Sequence, residues 1–150
     1  MGYKATVSTA NGGPLNFRAG TSTGSDLLAQ IPNNTVIHVK DIGNSSWVKA
    51  FYNQKLGYVM RQHLNEHPNS VSYGIEAIER YGERNFTVGY SSVGVLRFHQ
   101  DIHYFAFLSG STYTDESRQA VREYQEAKGL AVDGIAGIAT KEAAYRDYLG

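Results

Sequence analysis

The sequence predicts two small domains, an all-β barrel or sandwich followed by an all-α bundle. In the N-terminal part, short runs of β-branched and aromatic residues alternate with turn signals. In the C-terminal part, apolar residues recur at three- and four-residue steps, as on amphipathic helices. A chain of 150 residues has room for two such domains. The predicted division is a barrel over 1–65, a linker that could include a short helix over 66–85, and a helical domain over 86–150.

The N-terminal part is expected to form five or six short strands. The runs TVIHVKD, WVKAFY and LGYVM have the composition of strands. Gly43-Asn44 and Asn53-Gln54 fall between these runs and are predicted to be hairpin connections. Short strands separated by frequent turns are typical of a small barrel or sandwich.

The order of the N-terminal motifs carries a family resemblance. LNFRAG is followed by a polar loop, then by SSWVKAFY, and then by KLGYVM. Over roughly Lys4 to Leu64 this order resembles the bacterial SH3-like domain. The matching residues are Leu15, Asn16, Arg18, Gly20, Trp47, Val48, Gly57, Tyr58 and Val59. The resemblance implies an SH3-like barrel that binds cell-wall peptides or glycan.

Three helices are predicted in the C-terminal part. The first begins at Ser91 or Ser92, either of which is a good N-cap. The second runs from about Asp115 to Lys128. Thr112 has the capping-box spacing to Asp115, and Thr114 is a rival cap.

The second helix is expected to end at a glycine, and the third is expected to begin at a threonine. Gly129 is predicted to stop the second helix in the left-handed conformation, with Leu130 making the accompanying apolar contact. Thr140 is predicted to cap the third helix. Its expected inward residues are Ala143, Ala144, Tyr148 and Leu149.

The turn between the second and third helices carries the more specific resemblance. GLAVDGIAGIAT is similar to the motif of the three-helix peptidoglycan-binding domain found in cell-wall hydrolases. The matching positions are Gly129, Leu130, Asp133, Gly134, Gly137 and Thr140. Two features depart from the family pattern: His99 stands where the family usually has Gln, and FLSGSTYTDES replaces a second glycine turn. The resemblance implies peptidoglycan as the ligand.

Candidate ligand contacts are aromatic residues of the predicted strands and polar residues beside the glycine turn. They are Trp47, Tyr52, Tyr58, Arg122, Gln125 and Asp133. Aromatic rings can stack on sugar faces and peptide planes. Arg122 and Gln125 are expected to be exposed contacts for carboxylates or amides. A Trp in the position of Trp47 is more often part of the core or of a groove wall, and the alternative for Asp133 is that it only shapes the turn.

The sequence predicts no catalytic residues, no metal and no cofactor. It contains no cysteine, no phosphate-cradling loop and no Gly-x-Ser-x-Gly elbow. Two pairs, His63 with His67 and His99 with His103, have the spacing of helical metal ligands, but a zinc site needs a third ligand.

These patterns predict a non-catalytic module that binds peptidoglycan and targets a hydrolase such as an endolysin or autolysin. The alternatives are a small metal-dependent wall hydrolase using His99 and His103, and a protein-interaction adaptor. A net charge of zero disfavours nucleic-acid partners. No apolar run is long enough to span a membrane. The expected partners are the wall and a catalytic domain or subunit. The expected location is extracellular or in the cell wall, with no signal peptide in the sequence.

Overall fold

A computed structural model describes residues 1–150 and divides the chain into two units, Met1–Ile75 and Glu76–Gly150. The first unit is built on one antiparallel sheet of seven strands. These are β1 Gly2–Val7, β2 Leu15–Arg18, β3 Leu27–Ile31, β4 Val36–Lys40, β5 Trp47–Tyr52, β6 Lys55–Met60 and β7 Leu64–Ser72. The strand order is β3-β2-β6-β5-β4-β1-β7, and a short 3-10 helix, Arg61–His63, precedes β7.

The predicted SH3-like barrel is wrong, because the sheet is open and contains a strand that the sequence analysis did not expect. Residues 66–72, predicted to be linker, belong to β7. This strand pairs with β1 and lies at one edge of the sheet, with β3 at the other edge. An edge strand tolerates polar residues and proline, which explains why Pro68 and its polar neighbours resembled a linker.

Local turn chemistry sets the centre of the sheet. The predicted hairpin at Asn53-Gln54 is confirmed: both residues have positive φ, 51° and 58°, and join β5 to β6 in a two-residue loop. Gly57 lets β2 approach β6, since a Cβ there would lie 2.7 Å from the Arg18 carbonyl oxygen and 2.8 Å from the Phe17 ring. Fully buried Phe17 then joins an aliphatic core that includes Val48 and Val59.

The C-terminal part has four helices, so the prediction of a three-helix bundle is also wrong. They are α1 Gly74–Tyr81, α2 Val93–Asp101, α3 Asp115–Ala127 and α4 Ile138–Leu149. The additional helix, α1, contributes Ala77 and Tyr81 to the same core as Phe98, Val121 and Tyr124. None of the four helices is long and apolar enough to cross a membrane.

The N-caps of α2 and α3 are among the residues predicted from the sequence, whereas the N-cap of α4 is not. Ser92 caps α2, and its hydroxyl accepts a hydrogen bond from the Val95 N–H at 3.1 Å. Thr114, rather than Thr112, caps α3 in a reciprocal capping box with Ser117.

The last helix begins earlier than predicted and turns a different face inward. Its N-cap is Gly137, and Thr140 is buried inside the first turn. Ala144 is buried as expected, but Tyr148 and Leu149 are about half exposed. Lys141, which was not expected to face inward, is fully buried like Ala144.

Candidate functional site

Gln125 supports the turn between α3 and α4 from inside the C-terminal unit. Its side chain is 1% exposed. The amide nitrogen lies 2.9–3.0 Å from Asp133 Oδ1, the Ile135 carbonyl oxygen and Thr140 Oγ1. The amide oxygen accepts hydrogen bonds from the Asp133 and Gly134 N–H groups, both at 3.0 Å. Gln125 therefore shapes the turn and is not the exposed ligand contact predicted from the sequence.

The turn begins with the predicted glycine stop. Gly129 has φ of 70°, and its N–H donates to the Glu126 carbonyl oxygen at 3.1 Å. The Leu130 N–H reaches back to the Gln125 carbonyl oxygen at 2.8 Å. These two bonds form the Schellman arrangement, which satisfies carbonyl groups at the end of α3.

Two arginines of α3 cover the middle of the turn. Gly134 has φ of 74°, and a Cβ there would lie 2.8 Å from Arg118 Cγ and 3.2 Å from Arg122 Cγ. Ile135 and Asp133 are exposed beside it. We call Arg118, Arg122, Asp133, Gly134 and Ile135 the turn surface. It combines two guanidinium groups with exposed apolar and carboxylate side chains.

A shallow pocket lies on the arginine side of the turn surface. It has a volume of about 310 Å³ and is lined by Asp115, Arg118, Gln119 and Arg122. Arg122, a predicted contact, is half-buried in its wall, whereas Arg118 was not singled out from the sequence. The i, i+4 spacing of Arg118 and Arg122 on α3 was the sequence signal that could have identified Arg118.

Asp133 is exposed but already engaged in the turn. Its carboxylate accepts hydrogen bonds from the Gln125 amide and from the Ile135 N–H at 2.9 Å. This is the local geometry by which Asp shapes a turn. Both hydrogen bonds go to Oδ1.

Two buried side chains that the sequence analysis did not single out hold the turn and its surroundings. The Tyr113 hydroxyl donates to the Gly134 carbonyl oxygen at 2.6 Å, and burial raises the pKa of Tyr113. Lys141 Nζ donates to the carbonyl oxygens of Gly82 and Arg84 at 2.7 and 2.6 Å. Burial lowers the pKa of Lys141 to about 7.

The N-terminal unit has a separate cavity of about 340 Å³. Trp47, one of the predicted contacts, lines it beside its cross-strand partner Met60. The other two predicted aromatic contacts do not line this cavity. Tyr52 is half-buried against the core, edge-on to Phe17 with ring centroids 6.2 Å apart, and Tyr58 is half-buried opposite Lys49. Trp47, Tyr52 and Tyr58 therefore do not form one continuous aromatic surface.

Neither histidine pair forms a metal-binding face. His99 is 1% exposed, with Nδ1 3.0 Å from the Gly110 carbonyl oxygen and Nε2 2.9 Å from Ser117 Oγ. Its partner, His103, is exposed against the Phe107 ring. His63 and His67 lie in the 3-10 helix and in β7 rather than on one α-helix. The chain contains no group of three or more His, Cys, Asp or Glu placed to hold a metal ion.

Two solved structures that this chain resembles have low overall similarity to it. NlpC2 from Trichomonas vaginalis has a TM-score of 0.39 and 15% identity, and the match covers 53% of this chain and 29% of that chain. A periplasmic domain of the EpsAB fusion protein of the Vibrio vulnificus type II secretion system has a TM-score of 0.37 and 10% identity. That match covers 99% of this chain and 65% of that one. The chain thus spans less than two thirds of either structure.

The comparison with protein families matches the region that contains the turn surface. The search of curated proteins found no match. Residues 100–144 match the family model described as "Putative peptidoglycan binding domain". The match includes α3, the glycine turn and the first half of α4, and it confirms the resemblance read from the GLAVDGIAGIAT motif. It does not extend to the N-terminal unit, so the bacterial SH3-like resemblance has no support. The C-terminal unit therefore contains a region similar to a peptidoglycan-binding domain.

Proposed function

We propose that this chain is a non-catalytic cell-wall module whose C-terminal unit binds peptidoglycan. The observation that carries the proposal is the family match over residues 100–144, which includes the glycine turn between α3 and α4. Gly129 and Gly134 both have positive φ, so the matched motif is a folded turn. Because peptidoglycan is part of the cell wall, the proposed location of the protein is the cell wall or the outside of the cell.

The turn surface is the proposed binding site. Arg118 and Arg122 can bind carboxylates of wall peptides through charge-assisted hydrogen bonds, and exposed Ile135 can contact an apolar side chain or a sugar face. Asp133 contributes acceptors for amide N–H groups. Gln125 is a positioning residue, because it fixes the backbone of the turn without reaching the surface.

Binding of this module to peptidoglycan would benefit an enzyme that acts on the cell wall. A module that holds the wall raises the local concentration of a linked catalytic domain or subunit. We infer that the chain is the targeting portion of a cell-wall hydrolase such as an endolysin or autolysin.

Co-sedimentation with purified, protein-free peptidoglycan sacculi tests the proposal. We expect the protein to pellet with sacculi, and to remain in the supernatant when sacculi are omitted. Released muropeptides are measured in the same tube, and none are expected.

Two results would contradict the proposal in different ways. A protein that stays in the supernatant would remove wall binding and would favour the adaptor alternative. Pelleting accompanied by muropeptide release would show that the chain itself is catalytic. Buried His99 would then need to become accessible before it could act in a metal-dependent hydrolase.

A further inference from the structure

The cavity of the N-terminal unit has an apolar floor and a polar rim. Trp47 and Leu15 are 7% and 3% exposed and form the floor with half-buried Met60. The rim includes Asn16 and Arg18. A volume of about 340 Å³ lies within the range of small-ligand sites, which are mostly apolar with a few polar groups.

The fold creates this cavity where three strands converge. Arg18 of β2 pairs with Tyr58 of β6, and β6 in turn places Met60 opposite Trp47 of β5. The turn before β2 supplies Pro14 to the opposite wall. The lining residues therefore come from three hydrogen-bonded strands and the turn before β2, with Thr23 of the β2–β3 loop and His63 of the 3-10 helix.

The charges around the cavity are of one sign. Arg18 and His63 are the ionisable side chains in its lining, and no carboxylate lines it. Arg18 Nη1 donates to the Ser25 carbonyl oxygen at 3.0 Å, which orients the guanidinium and leaves other N–H donors available. Arg18 forms no ion pair within the chain. A half-buried arginine without a carboxylate partner beside an apolar floor is complementary to an anion with an apolar neighbour.

We propose that this cavity binds the carboxyl-terminal end of a short peptide with small aliphatic side chains. The terminal carboxylate accepts hydrogen bonds from Arg18, and the adjacent side chain packs on Trp47 and Met60. Asn16 on the rim provides an amide to the peptide backbone, although its Oδ1 already accepts a hydrogen bond from Gln30 at 3.1 Å. Arg18 is well suited to this role, because its planar guanidinium can bind both carboxylate oxygens at once.

Amide-resolved NMR titration of the full chain tests this site. The probes are the dipeptide Ala-Ala with a free carboxylate, the same dipeptide as its carboxamide, and N-acetylglucosamine. We expect Ala-Ala to shift the backbone amide signals of residues 15–18 and the Trp47 indole N–H. The carboxamide should bind about tenfold more weakly or worse, because it lacks the charge that Arg18 recognises.

Variants of the full chain separate the carboxylate contact from general charge. Arg18→Gln should weaken Ala-Ala binding about as much as carboxamide capping does. Lys55→Gln removes an exposed cation outside the cavity and should leave binding unchanged. Because Arg18 also holds the Ser25 carbonyl, the comparison of the two dipeptides on the unsubstituted protein decides the matter if Arg18→Gln disturbs the loop.

Three outcomes would overturn the proposal: no shifts at the cavity, equal binding of the acid and the carboxamide, or shifts with N-acetylglucosamine alone. Binding at this cavity and wall binding by the C-terminal unit are separate properties. If the protein pellets with sacculi but Ala-Ala causes no shifts at the cavity, the proposed function stands and the cavity proposal fails. Cavity shifts in a protein that does not pellet would leave this site intact.

Discussion

At the scale of single residues, one buried amide determines the geometry of the turn surface. Gln125→Leu keeps the volume of the side chain but leaves the Asp133 and Gly134 N–H groups without their acceptor. A buried donor such as the Gly134 N–H costs about 1–3 kcal/mol when it loses its partner, and the part-buried Asp133 N–H costs less, so we expect the free energy of unfolding to fall by about 2–4 kcal/mol. Urea-induced unfolding measures the loss.

A matched substitution on the same helix is the control for Gln125. Gln119 is exposed on α3, and Gln119→Leu should change the free energy of unfolding by less than about 0.5 kcal/mol. If the two variants were equally stable, the hydrogen bonds of Gln125 would contribute nothing to the turn.

His99 is expected to make stability depend on pH. Burial lowers the pKa of His99 below its ordinary value near 6.5, against smaller opposing effects of hydrogen bonds to Gly110 and Ser109. The folded state therefore holds fewer protons on this ring than the unfolded chain does below about pH 6.5. The stabilising effect is fully present above that pH and is lost as the pH falls towards the folded pKa.

The variant that tests this dependence is His99→Gln. The amide retains a donor towards the Gly110 carbonyl oxygen but cannot titrate. Between pH 6.5 and about 5, unfolding free energies measured by denaturant titration should fall less steeply in the variant than in the unsubstituted protein. Lys141, whose pKa burial lowers to about 7, is present in both proteins, so its contribution does not distinguish them. Identical slopes would show that His99 is not the titrating group.

At the scale of elements, a single glycine sets the contact between α1 and α2. A Cβ on Gly94 would lie 1.7 Å from the Tyr81 carbonyl oxygen at the end of α1, so the helices would have to move apart. Gly94→Ala should destabilise the C-terminal unit by about 3 kcal/mol or more, as overpacking against backbone does. Thermal unfolding followed by circular dichroism measures the effect.

The control is a second glycine in the same unit that has room for a methyl group. Gly137 has φ of −90°, and the nearest atom to an added Cβ is Asn85 Oδ1 at 3.4 Å. Gly137→Ala at this N-cap should cost only a few tenths of a kcal/mol to about 1 kcal/mol. Equal melting temperatures for the two variants would exclude the close contact at Gly94.

Elements with strong local signals were predictable, and elements that depend on distant partners were not. The β5–β6 hairpin, the Ser92 cap and the Gly129 stop follow from residues close together in the sequence. β7 forms because β1 offers it an unpaired edge more than fifty residues away, as in the pair Ala5 and Glu66. No local pattern in a polar, proline-containing segment indicates that partner.

At the scale of the whole molecule, retention on the wall should depend on the turn surface. Arg118→Gln with Arg122→Gln removes both cations from the 310 Å³ pocket. If each contributes one charge-assisted hydrogen bond to a wall carboxylate, the affinity for sacculi should fall at least about tenfold. Co-sedimentation over a range of sacculus concentrations measures the affinity.

Arg97→Gln is the control for that double variant. Arg97 is an exposed arginine of α2 outside the turn surface, and its removal lowers the net charge in the same direction. It should leave retention nearly unchanged. Equal losses in both proteins would mean that wall binding depends on overall charge and not on the turn surface.

The candidate site divides in the same way between local and tertiary information. The GLAVDGIAGIAT motif by itself determined the turn, its left-handed glycines and the resemblance to a peptidoglycan-binding domain, because these depend on φ preferences within a few residues. Only the tertiary structure decided which neighbours face outward. It buried Gln125 beneath the turn and His99 against Ser117, and it brought Arg18 to the same cavity as Trp47. Burial and strand pairing depend on the packing of the entire unit, which no short stretch of sequence contains.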